Sequence, residues 1–142
     1  MLELSLWLSL LFLTPQAAFA DASTYCLYDL LVQSHAAVSH CGDSLDPKSE
    51  RRYQQLISEL RMNIVHNAHK PNKKGGSIVE SINQYDRTVQ MRTQNAGDAV
   101  CKSRDYPGYR DMLKRFTAEP NFSKLLASIR HSTKDPFTGE CI

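Results

Sequence analysis

An all-α fold is what this sequence predicts: a small bundle of four to five helices, stapled by two disulfides and preceded by a signal peptide. Three observations carry that reading. Apolar residues recur at helical steps in one stretch after another. No alternating apolar–polar run of useful length marks a strand. The four cysteines are an even number in a chain that opens like an exported one.

The opening reads as a targeting segment. Leu4 to Leu13 is a largely apolar run of ten, too short to span a bilayer as a helix. Thr14-Pro15-Gln16 then breaks it, and Ala18-Phe19-Ala20 puts small residues where a signal peptidase cuts. Residues 1–20 are read as the signal and 21–142 as one mature domain with no transmembrane anchor. The n-region departs from the usual pattern, since Met1-Leu2-Glu3 has no Lys or Arg. The alternative is an uncleaved anchor helix.

Losing Glu3 with the signal raises the formal charge from +2 to +3. That is too mild for a dedicated nucleic-acid binder. About 120 residues bury one core and leave no room for a second domain.

The first helix is expected over residues 23–41, where Leu27, Leu30, Leu31, Ser34, Val38 and Cys41 share a face. Gly42 follows as a left-handed stop. The second runs from Asp46 to Lys70 and is the one the rest should pack around. It places Tyr53, Leu56, Ile57, Leu60 and Ile64 on one side, behind an Asp46-Pro47 start. Pro71 to Gly76 is a turn-rich break. Ser77 and Glu80 then form a capping-box pattern ahead of Ile78, Ile82, Tyr85 and Val89. Gly97 is placed to bend or interrupt this third helix before Val100 and Cys101. Tyr106, Tyr109, Met112, Leu113 and Phe116 mark a fourth, and Phe122, Leu125, Leu126 and Ile129 a fifth. The tail from Asp135 to Cys141 has turn chemistry.

Geometry constrains the cysteines. Fifteen residues of helix hold Cys26 and Cys41 about 22 Å apart, and a disulfide needs Cα atoms within about 7 Å. Each must therefore reach the second half of the chain. Short connections make the first three helices run up, down and up. Cys41 and Cys101 then share one end, with Cys26 at the other, where the tail returns. Cys41–Cys101 and Cys26–Cys141 are the expected pairs, and the crossed pairing stays open.

Candidate chemistry is sparse. His66 and His69 stand three apart at the end of the second helix, and His131 falls near the end of the last. Two imidazoles at that spacing can face one metal, but no His-Glu-x-x-His arrangement accompanies them, and Asn67 and Lys70 read as solvated neighbours. His35 and His40 share a face poorly. Serines 34, 39 and 44 lie near them without a Gly-x-Ser-x-Gly elbow. Glu59 and Glu80, the only acid pair to consider, fit better as solvated helix residues. No cofactor is expected, and the chain is read as not an enzyme.

Basic residues are more distinctive. Arg61, His66, His69, Lys70, Lys73 and Lys74 concentrate around the second helix's end, where an anionic partner would dock. The same residues also suit a plain helix terminus, whose dipole favours cations. Tyr106-Pro107-Gly108-Tyr109-Arg110 is a second candidate interface, with Tyr109 in the core and Tyr106 the freer ring. Asn121-Phe122-Ser123 matches a glycosylation acceptor.

The plan of signal, small bundle and two disulfides resembles exported immunity and inhibitor proteins that plug an enzyme's site, in architecture alone. The expected function is thus a secreted or periplasmic, non-enzymatic binding protein. Its partner would be another protein or an anionic envelope component, met through Arg61, Lys70, Lys73, Lys74, Tyr106 and Arg110. The alternatives are a small-ligand or metal carrier using His66, His69 and His131, and a hydrolase with an unrecognised site.

Overall fold

The computed structural model describes residues 23–68 and 77–139. The expected signal, Lys70, Lys73, Lys74, His69 and Cys141 lie outside the described residues. Within them the chain is all-helical, with six helices and no strand: α1 Thr24–His40, α2 Pro47–Asn67, α3 Ile78–Ala96, α4 Asp98–Cys101, α5 Tyr106–Thr117 and α6 Asn121–His131. The count exceeds the expected four to five because Gly97 does more than bend the third helix. At φ 56° and ψ −138° it leaves helical geometry altogether and splits off the four-residue α4.

Helices α1 and α2 share the centre: α1 touches α2, α3, α4 and α5, and α2 touches α1, α3, α5 and α6. In α1, Leu27, Tyr28, Leu31, Ser34, Ala37 and Val38 are buried. The small side chains of Ser34 and Ala37 let neighbours approach closely, and the Ser34 hydroxyl is satisfied within the helix by Leu30 O at 2.6 Å. The stop at Gly42 is a Schellman turn. Asp43 N–H donates to Val38 O at 3.1 Å and Gly42 N–H to Ser39 O at 3.3 Å, with Gly42 at φ 76°.

Helix α2 starts as its sequence suggests. The Asp46 carboxylate accepts from Lys48 N and Ser49 N, both at 3.0 Å, ahead of Pro47 at the first position. It stops three residues short of Lys70, with Ala68 at ψ 111°. Asn67, read from sequence as solvated, is buried. Its amide donates to Ser132 O at 3.1 Å, and Asn63 one turn earlier donates to Ile129 O at 2.9 Å and Ser132 O at 3.0 Å. Two side-chain amides of α2 thus donate to carbonyls at the end of α6, where intrahelical donors run out. Arg130 of α6 returns the contact, pairing with Glu59 of α2 at 2.6 Å.

Residue pairings fix the directions. Tyr28 meets Arg61 while His35 meets Glu50, so α1 and α2 are antiparallel. Tyr28 meets Asp86 while His40 meets Gly97, so α1 and α3 are parallel. The up, down, up order places Cys41 beside Cys101, and they form a disulfide with Cα atoms 5.5 Å apart. It is the one disulfide among the described residues. The expected Cys26–Cys141 pair lies outside them through Cys141, although Cys26 itself is not free. The tail does return to the start of α1: Pro136 O accepts from Tyr25 N at 3.0 Å and from the Ser23 hydroxyl, and Phe137 packs on Tyr25 with centroids 5.2 Å apart.

The Cys41–Cys101 bridge joins residues 60 apart in sequence. Loop-closure entropy for that span corresponds to about 4 kcal/mol. The Cys41→Ala/Cys101→Ala double variant should lose about that much stability in urea unfolding at neutral pH.

Candidate functional site

Helices α2 and α3 both lean on α1 but scarcely touch each other. Between them runs a groove, with α1 as the floor of its polar part. One polar constellation crosses it. The Arg61 guanidinium of α2 bonds Asp86 of α3, Nη1 to Oδ2, at 2.7 Å. A second donor of the same side chain bonds Asn83. From the floor, the Tyr28 hydroxyl donates to Asp86 Oδ1 at 2.5 Å and accepts from Arg61 Nη1 at 3.2 Å. Burial first, and then the bond to Asp86, push the Tyr28 phenol well above its ordinary value, so it stays a donor at any physiological pH.

This bar divides the groove, and Arg61 lines the hollows on both sides of it. Toward the end of α2 lies an apolar hollow of about 500 Å³, framed by Met62, Val65, His66, Val79 and Ile82. On the other side is a larger, polar cleft of about 790 Å³. Val32 and Ala36 lie on its floor, Gln54, Ile57 and Ser58 are contributed by α2, and Gln90, Thr93 and Gln94 by α3.

At the far end of the cleft His35 is fully engaged. Its Nε2 lies 2.9 and 3.1 Å from the two Glu50 oxygens, and its ring stacks on Tyr53 at 4.0 Å with a 4° interplanar angle. Burial works against ionisation of Glu50, but hydrogen bonds from Gln54 and His35, together with the His35 charge, outweigh it and hold the carboxyl below its ordinary value. His40 bonds Gly97 O at 3.1 Å, pinning the end of the floor to the end of α3.

The residues singled out in the sequence do not converge. His66 is exposed beside the apolar hollow, while His131 is exposed beside a different hollow, lined by the tail. Among the described residues no three His, Cys, Asp or Glu side chains come together as a metal-holding group. Arg61, read as a docking cation, is committed to Asp86, Asn83 and Tyr28. Tyr106, expected to be the freer ring, is the buried one at 8% exposure, and its hydroxyl bonds Asp43 at 2.5 Å. Burial first and then that bond push its phenol up to about 12. Tyr109 packs only partly against the core. The two reverse because α5 begins at Tyr106, where the loop bearing Asp43 covers it. Arg110 reaches the same carboxylate, 3.9 Å away. Asn121 is exposed at the start of α6. Asp86 and the glutamines of α3 went unremarked in the sequence; the step of four from Asp86 to Gln90 and Gln94 is the signal that marks them.

No protein family, curated protein or solved structure was found to match the chain. No helix among the described residues is long and apolar enough to cross a membrane.

Two measurements check this geometry. Tyr28→Phe removes the floor's hold on the bar and should cost about 1–2 kcal/mol in urea unfolding. The Glu50 bonds imply a pH dependence of known sign. A carboxyl held below its ordinary value of 4.5 contributes fully above that value, and its contribution fades as pH falls through the folded one. Between about pH 7 and about pH 3, the wild type should therefore lose more stability than Glu50→Gln.

Proposed function

We propose that this chain is an exported, non-enzymatic binding protein that docks another protein, in the manner of an inhibitor or immunity protein, on the apolar end of its groove. One observation carries the reading. Met62, Val65 and Val79 stay 56%, 44% and 46% exposed around the 500 Å³ hollow. Clustered apolar side chains around a concavity are what a partner's apolar anchor covers. Methionine, flexible and polarisable, adapts to that anchor's shape. Lys70, Lys73 and Lys74 follow α2 directly in sequence and would favour a partner with an anionic rim.

Three of the side chains a hydrolase could draw on have structural duties instead: Ser34 with Leu30, His35 with Glu50, and Glu59 with Arg130. Export through the 1–20 signal and a second staple between Cys26 and Cys141 belong to the same proposal. The Cys41–Cys101 disulfide supports an oxidising compartment, and the tail's return to α1 supports the second pairing.

Mature protein immobilised on beads and exposed to extracellular or envelope extract should capture a partner. Val65→Asp/Val79→Asp should abolish that capture without loss of helicity. Lys70, Lys73 and Lys74→Glu should weaken it and remove its salt sensitivity. Capture untouched by the valine changes would move the interface elsewhere.

A further inference from the structure

The polar cleft on the other side of the bar has different chemistry. We propose that it is a binding site for a short neutral saccharide. Its ionisable groups are already engaged: Arg61 with Asp86, His35 with Glu50, and His40 with Gly97 O. An anionic ligand would have to break the first pair to find a guanidinium, and a cationic one would have to strip carboxylates of their partners. The hydrogen-bonding groups left over are neutral. Ser39, Ser58, Gln90 and Gln94 line the cleft, and no hydrogen bond among the described residues engages their side chains. Gln54 gives its amide N–H to Glu50 and keeps its carbonyl oxygen as an acceptor.

These groups supply both donors and acceptors from two facing helices and the floor between them. A primary amide offers one of each, a fork that matches neighbouring hydroxyls on a sugar ring. Between the walls, Val32, Ala36 and Ile57 form an apolar strip at the cleft, suited to the C–H face that a pyranose shows between its hydroxyls. The volume of about 790 Å³ falls in the range of small-ligand sites. The lining is too polar for a hydrocarbon ligand. An extended peptide is disfavoured by length, since the Arg61–Asp86–Tyr28 bar makes the cleft blind at one end. This site stands apart from the protein-docking surface and does not depend on it.

Titration of the oxidised full-length mature chain with maltotriose, cellotriose and chitotriose, followed by ¹H–¹⁵N amide shifts, tests the proposal. At least one sugar should shift resonances of α1, α2 and α3 around the cleft in a saturable way. Gln90→Ala/Gln94→Ala, on an exposed face of α3, should weaken that sugar's binding at least tenfold while preserving the fold. Val65→Asp should leave it unchanged. The same sugar displayed on a carrier protein distinguishes a free oligosaccharide from a glycoprotein glycan as the source. No saturable shift with any of the three sugars overturns the proposal. So does binding indifferent to the glutamine changes, or saturable binding of tetraglycine in place of the sugars.

Discussion

A phenol buried beyond the reach of water must find its hydrogen bonds in the protein, and Tyr28, with no exposed surface, is that constraint here. Its hydroxyl sits between α2 and α3, and Asp86 and Arg61 answer it from either wall. The two walls are tied through the floor and each other at this point, instead of closing over it. The groove follows from that one solution. Had apolar residues stood at 61 and 86, α2 and α3 would gain by meeting directly, and both hollows would shrink.

The rest of the molecule reinforces the arrangement from outside. Arg52 of α2 bonds Thr117 O and Glu119 at 2.9 Å each and lies 5.0 Å over the Phe122 ring. Helix α2 is thereby fastened to the α5–α6 turn along its outer side. Asn63 and Asn67 hold its far end against α6. Among the described residues helix α3 has no comparable backing, and its buried side chains are Ile82 and Val89. The groove therefore has one firmly seated wall and one that rests chiefly on α1 and on the bar.

Local chemistry was legible in the sequence because it is written within a few residues. The Asp46-Pro47 start, the Ser77 cap and the Gly42 stop each depend on neighbours two to five positions away, and each forms as read. Periodicity likewise identified Leu56, Leu60 and Ile64 as core. It does not say what a buried face packs against, so the central place that α1 shares with α2 was not foreseen. The long-range polar pairs were invisible for the same reason. Arg61 finds Asp86 across 25 positions and Asn63 finds Ile129 across 66, and only the assembled topology brings them together. Half of the candidate site was therefore hidden: its helices were foreseen, but not the bar that gives the groove its two ends.

The disulfide between Cys41 and Cys101 also shapes how the protein meets proteases. Helices α2 and α3, with everything that joins them, lie inside the covalent ring that this bond closes. A single cut anywhere within the ring leaves two fragments still fastened to each other, one carrying α1 and the other α5 and α6. Under oxidising conditions such a nicked molecule would keep its two pieces together and retain a means of re-forming the groove, and only reductant would let them part.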